Sequence, residues 1–166
     1  MGKVALVTGG TRGIGAAIAK KLKAEGNQVI SIYHGNEEAA LKFKSETGIE
    51  VIKMDVANFD DCQKVCAELI TKFGSIDILV NNAGITKDSF FHKMDVDSWS
   101  AVINTNLNSC FNVTRALITP MRDKGFGRII NISSVNGLKG QLGQTNYSAA
   151  KAGVIGFTKA LALESA

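Results

Sequence analysis

The sequence predicts an α/β protein built on a doubly wound parallel sheet, and three observations carry that prediction. Short β-branched runs alternate with longer amphipathic stretches along all 166 residues. A glycine-rich segment, Thr8-Gly9-x-x-x-Gly13-x-Gly15, stands between the first apolar run and the first helical pattern. No linker, low-complexity stretch or short-period repeat interrupts the alternation, so residues 1–166 read as one domain.

Taken in order, residues 3–8 form the first strand, and residues 16–25 a helix with alanine and leucine toward the sheet. Lys20, Lys21 and Lys23 face water, and Gly26 stops the helix. Residues 29–33 are the second strand, 37–46 a helix and 51–54 the third strand. The helix over 60–73 buries a stripe of Val65, Leu69 and Phe73. Residues 76–80 form the fourth strand, which ends in Asn81-Asn82-Ala83-Gly84. One long helix follows over about 98–124, with Pro120 bending its last turn. The fifth strand spans 128–133 and the last helix about 147–164. Right-handed crossovers then place ligand sites at the carboxyl ends of the strands.

Composition narrows the classes. Hydrophobic residues make up 45% and charged residues 20%, a globular balance. Met1-Gly2-Lys3 gives way to Val4-Ala5-Leu6-Val7 too briefly for a signal peptide. No apolar run approaches the roughly 18 residues of a membrane span, so the expectation is a cytoplasmic protein without a membrane partner. The net charge of +4 comes from scattered Lys and Arg, which suits an anionic cofactor or substrate but forms no nucleic-acid surface. Cys62, Cys66 and Cys110 show no metal-ligand clustering and read as small buried thiols, so no metal site is expected.

The glycine segment has a physical use. Glycines at 9, 13 and 15 allow a tight turn and let the backbone, including Thr11 and Ile14, approach a pyrophosphate at the helix N-terminus. The end of the second strand chooses between cofactors, since NAD sites place Asp or Glu there for the ribose 2′-hydroxyl. Here Tyr33, His34, Gly35 and Asn36 bring no carboxylate, and Arg12 supplies a charge-assisted donor for a 2′-phosphate. NADPH/NADP is therefore the expected cofactor. Asp55-Val56 after the third strand suits the adenine amino group, or else a helix start. Asn82, Ala83 and Gly84 are small enough to let a dinucleotide lie on the backbone.

Tyr147 follows Ser134 by thirteen residues, and Lys151 follows Tyr147 by four, which puts phenol and ammonium on one helix face. Reducing a ketone needs a proton at oxygen while hydride arrives at carbon. A phenol ordinarily titrates near pH ~10, and a close cation stabilises its phenolate. Ser134 can donate to the developing alkoxide. Asn106 is a polar position in the long helix, either bonded to backbone or functional.

These motifs, from the glycine segment through Asn81–Gly84 to Ser134, Tyr147 and Lys151, resemble the short-chain dehydrogenase/reductase family in order and spacing. The resemblance implies a Rossmann-type sheet in the strand order 3-2-1-4-5 with helices on both faces. It implies that Tyr147 is the general acid, that Lys151 binds the nicotinamide ribose and tunes the tyrosine, and that Ser134 orients the carbonyl. Asn106 matches the family's asparagine that holds a proton-relay water.

Within the family, the run from Ser133 to Ser148, Gly84-Ile85-Thr86-x-Asp88 and Trp99-x-Ala101-Val102-Ile103 are similar to bacterial acetoacetyl-CoA reductases. By that resemblance the partner is an acyl thioester, carried on CoA or acyl-carrier protein, and Asp88, Gln141 and Gln144 join Ser134 and Tyr147 in binding it. For the two glutamines a polar surface loop is the competing reading. The family chain normally runs on past residue 166, so the last two strands and the substrate-covering helix are expected to be absent, leaving the fifth strand as an open edge. The long helix and the last helix pack between subunits in the family, which implies a homodimer through them.

Overall fold

Five parallel strands form one sheet in the order β3-β2-β1-β4-β5 in a computed structural model that describes residues 2–165. Met1 and Ala166, the outermost residues of the 1–166 domain, lie outside the described residues. The elements are β1 (Val4–Thr8), α1 (Gly13–Ala24), β2 (Gln28–Tyr33), α2 (Glu37–Thr47), β3 (Glu50–Lys53) and α3 (Phe59–Phe73). After them come β4 (Ile78–Asn81), α4 (Val96–Ile103), α5 (Ser109–Asp123), β5 (Arg128–Asn131), α6 (Asn136–Lys139) and α7 (Thr145–Ser165).

The register aligns Leu6 with Ile30 on one side of β1 and with Leu79 on the other. Alternation along the strands sorts the core into two layers. Val4, Leu6, Ile30 and Leu79 pack with Cys62, Val65, Cys66 and Leu69 of α3 and with Val113 and Leu117 of α5. Ala5, Val7, Val29 and Val80 face the other way, onto Ala19 of α1 and Phe43 of α2. Burial pushes the Cys62 and Cys66 thiols up to about 12, as befits inert core residues.

Local chemistry sets the ends of most helices. Asn36, Asn58 and Asp95 cap α2, α3 and α4 by accepting from Ala39, Asp61 and Ser98 N–H. Gly48 ends α2 in the left-handed region.

Most boundaries agree with the sequence expectation to within two residues, and the main differences concern the helices before and after β5, β5 itself and the first helix. The long helix over 98–124 begins two residues earlier and is interrupted by a π-helical turn, Asn104–Asn108, between α4 and α5. Pro120 lies inside α5. The fifth strand stops at Asn131, and a short helix, α6, occupies part of the connection to α7. The first helix begins at Gly13, which draws the last glycines of the loop into its first turn.

The chain runs outward from β1 to β2 and β3, then returns to β4 on the other side of β1. The gap above the carboxyl ends of β1 and β4 is therefore the topological switch point of the sheet.

Candidate active site

The glycine segment meets the end of β4 at this switch point. Gly9 and Gly13 have φ of +61° and +52°, values that favour glycine. A Cβ on Gly15 would stand 2.2 Å from the Gly9 carbonyl oxygen, so no larger residue fits between loop and helix. Thr8 Oγ1 accepts from both Asn82 N and Ala83 N at 3.0 Å, and Asn82 Nδ2 donates to the carbonyls of Thr8 and Gly9. Asn82 thus braces the loop, a role for which its sequence gave only a position. Unlike α2, α3 and α4, α1 receives no side-chain cap at its N-terminus, and its first-turn N–H groups need partners. Uncapped helix, tight loop and excluded Cβ together fit a dinucleotide pyrophosphate. Arg12, at the N-cap position, and Ile14, 67% exposed, are open to solvent, and Thr11 is half-buried beside them.

Asp55 is not the cap of α3, because Asn58 takes that position. Its Oδ1 accepts from Ala57 N at 3.0 Å in a tight turn, and its Oδ2 lies 4.0 Å from His34 Nε2. Pairing of β2 with β3 therefore brings a carboxylate beside the end of β2, a neighbour that the residues of β2 alone do not reveal. Val56 is buried, with its carbonyl accepting from Asn112 Nδ2 at 3.0 Å.

On α7, Lys151 is only 4% exposed, and its Nζ lies 5.7 Å from the centre of the Tyr147 ring. The ammonium donates to the Ile132 carbonyl at 2.7 Å, just beyond β5. Burial pushes its pKa below the ordinary lysine value, with Cys110 acting weakly the other way. Ser133 Oγ donates to the Lys151 carbonyl at 2.8 Å, so the two serines divide the work. Ser133 anchors α7, while Ser134 Oγ accepts from Asn136 N at 3.2 Å and keeps its own hydrogen available.

Asn106 lies inside the π turn and is buried. Its Nδ2 donates to the carbonyls of Ile85 and Val102, both at 2.9 Å, while its Oδ1 is buried without a partner. Of the two alternatives for Asn106, the bond to backbone is present through its nitrogen, while its oxygen is left free to accept. A Cβ on Gly84 would stand 2.5 Å from that Oδ1 and 3.8 Å from Lys151 Nζ, so Asn106 and Lys151 border one point beside Gly84. Orphaned buried acceptors are uncommon and call for a ligand or water.

Asp88, Gln144 and Asn136 form a chain. Gln144 Nε2 donates to Asp88 Oδ2 at 2.8 Å, and Asn136 Nδ2 donates to Gln144 Oε1 at 2.9 Å. Ser89 N donates to the Gly143 carbonyl, and buried Asn146 donates to the Lys87 carbonyl, clasping the two loops together. Gln141 stands apart, exposed and accepting from Lys139 Nζ at 3.3 Å. Ser133, Asn136 and Asn146 were not singled out from sequence. Their only signal was membership of the run from Ser133 to Ser148.

Among the described residues no helix is long and apolar enough to cross a membrane, and no group of His, Cys, Asp or Glu could hold a metal.

Comparison with known proteins agrees with this geometry. The family model described as short chain dehydrogenase matches residues 3–166. An acetoacetyl-CoA reductase of Shinella zoogloeoides is 61% identical over all of this chain and 69% of its own length. One of Rhizobium meliloti is 58% identical over the same shares. A 3-oxoacyl-[acyl-carrier-protein] reductase of Chlamydia muridarum is 47% identical over 98% of this chain and 67% of its own. With that model matching residues 3–166 and the sheet in the order β3-β2-β1-β4-β5, the chain belongs to the short-chain dehydrogenase family.

Proposed function

We propose that this chain reduces acetoacetyl-CoA to (R)-3-hydroxybutyryl-CoA with NADPH. The observation that carries the reading is the meeting of Lys151 and the unpartnered Asn106 Oδ1 beside Gly84, with the Tyr147 ring 5.7 Å from the Lys151 ammonium, in a chain 61% identical to an acetoacetyl-CoA reductase.

The residues present fit the cofactor. Gly9, Thr11, Gly13, Ile14 and Gly15 would hold its pyrophosphate, Asp55 and Val56 its adenine end, and Ala83, Gly84, Tyr147 and Lys151 its nicotinamide half. Arg12, exposed at the N-cap of α1, would donate to a 2′-phosphate, which is the reason for preferring NADPH. When bound, the cofactor supplies hydride to the 3-carbonyl carbon. Tyr147 donates its phenolic proton to the carbonyl oxygen as the bond to carbon forms. Ser134 donates a hydrogen bond to that same oxygen and orients it. Lys151, held by the Ile132 carbonyl, keeps a positive charge beside the phenol. Asn106 Oδ1, buried without a partner, would accept from a water that returns a proton toward Tyr147. Gln144 and Asp88 would meet the thioester arm, and Gln141, which stands apart on the exposed loop, would reach it only farther along the CoA moiety.

A second reading, reduction of the same 3-oxoacyl group on acyl-carrier protein, is favoured by the similarity to the Chlamydia muridarum reductase. We further infer a cytoplasmic protein that pairs through α5 and α7, whose exposed Phe111 and Leu163 supply apolar surface.

NADPH consumption by the purified chain with acetoacetyl-CoA tests the proposal. Turnover is expected, and Tyr147→Phe should lower kcat/KM by ~10²–10⁴-fold, the usual span for a lost general acid. Faster turnover on the carrier-protein substrate would support the second reading. Cofactor binding without turnover would mark a silent nucleotide-binding unit instead, and a strong preference for NADH would refute the role of Arg12.

A further inference from the structure

The amide of Gln144 is gripped from two sides. A carboxylate oxygen only accepts and an amide NH2 only donates, so Asp88 and Asn136 together decide which way the Gln144 amide faces. Its oxygen is engaged by Asn136, one Nε2 hydrogen is given to Asp88, and the second Nε2 hydrogen remains for a ligand. Asn136 also reaches Ser134. Its backbone N–H occupies a lone pair of Ser134 Oγ, which leaves the hydroxyl hydrogen free to donate. Asn136 itself stands on firm ground, because the turn backs directly onto α7. A Cβ on neighbouring Gly137 would lie 2.7 Å from the Lys151 carbonyl carbon.

We propose that Asn136 is a positioning residue for substrate recognition, holding Ser134 and Gln144 so that each turns a donor toward one of the two carbonyl oxygens of a 3-oxoacyl thioester. This rests on the thioester reading given above. A 3-oxoacyl thioester offers two carbonyl acceptors close together, and two fixed donors match it. With its amide reversed, Gln144 would set oxygen against oxygen and reject the same ligand. Asn136 acts through its neighbours and does not touch the substrate.

Two substitutions separate positioning from mere support. Asn136→Ala removes the grip on Gln144 Oε1 and frees the amide to rotate. Asn136→Asp keeps the shape and the backbone N–H to Ser134 but presents an acceptor. The new carboxylate would then face Gln144 Oε1 acceptor to acceptor, and because Asp88 also only accepts, neither orientation of the amide satisfies both, so the amide leaves the pose that offers the substrate a hydrogen.

The dissociation constant of acetoacetyl-CoA, measured by calorimetry with NADP present, and its KM where turnover occurs should rise ~10-fold in the alanine variant and ~30-fold or more in the aspartate variant, where tenfold is about 1.4 kcal/mol. NADPH affinity should be unchanged, and kcat should fall less than KM rises. A purely structural role predicts the reverse order, since aspartate nearly copies asparagine. That reverse order, or three proteins binding alike, overturns the proposal. Should Asn136→Asp fail to fold, Gln144→Glu serves instead. It can still accept from Asn136 but carries no hydrogen for the substrate, so unchanged binding there also overturns the proposal. If the unsubstituted chain binds no acetoacetyl-CoA, the thioester reading itself falls; if it binds and the variants match it, only the role of Asn136 falls.

Discussion

Lys151 carries the sharpest conflict at the residue scale. An ammonium taken out of water is costly, and here a single backbone carbonyl, Ile132, offsets part of that cost. Burial accordingly lowers its pKa, so the proton leaves at a lower pH than from an exposed lysine. The sign for activity follows directly. Below the lowered pKa the cation is present and supports Tyr147; as pH rises through it, that support disappears. The kcat/KM profile should therefore fall on its alkaline side before the ordinary lysine range near ~10.4. A profile that stays level through that range would show that the charge on Lys151 is not what the reaction uses. Asn106 is the complementary case, a neutral group whose buried oxygen has no partner. That residue was legible as a family match but not as geometry. Its meaning depends on the π turn, and no local propensity distinguishes a π turn from the helix on either side.

Among the elements, the loop between β1 and α1 is the one whose sequence says most. Its glycines are there for two different reasons. Gly9 and Gly13 supply positive φ, whereas Gly15 has helical backbone and is needed because loop and helix approach so closely. Gly15→Ala should consequently cost cofactor binding as well as folding. The new methyl meets the Gly9 carbonyl and the Asn82 amide, and moving either disturbs the pyrophosphate cradle. NADPH affinity, read by fluorescence, should weaken by at least ~10-fold, with about 1–3 kcal/mol of stability lost to overpacking. Unchanged affinity would mean that the cradle is not where the phosphates sit. Strands, helices and this loop could be read from period and glycine placement because each is a local pattern. Asn82 bracing Thr8 and Gly9, and Asp55 beside His34, could not. Both arise from pairing between strands, β4 with β1 and β3 with β2, that no local pattern specifies, and the Asn136–Gln144–Asp88 chain likewise joins loops 56 residues apart.

For the whole molecule, the two borders of the sheet are unlike. β3, at one border, carries Glu50 and Lys53 at its ends, and Lys72 of α3 pairs with Glu50 at 2.6 Å, so charge guards that strand. β5, at the other border, reads Arg-Ile-Ile-Asn, and Ile130 is 47% exposed on the face opposite α5. A groove of about 490 Å³ runs along its other face, lined by Met121, Phe126, Ile129 and Leu161. An apolar border with unpaired backbone groups is a template for pairing with another chain. Besides the pairing through α5 and α7, the isolated chain should therefore associate further through this border in a concentration-dependent way, and Ile130→Lys should suppress that added association by placing a charge on the exposed face. The substitution is at the surface and should alter stability by no more than about 0.5 kcal/mol. Sedimentation across a range of concentrations, with thermal melts alongside, measures both. Association through the α5 and α7 faces would respond instead to Phe111→Asp and ignore the change at Ile130, so the pair of variants tells which surface is in use. Self-association untouched by Ile130→Lys would mean that the border strand, for all its apolar character, is not where these molecules meet.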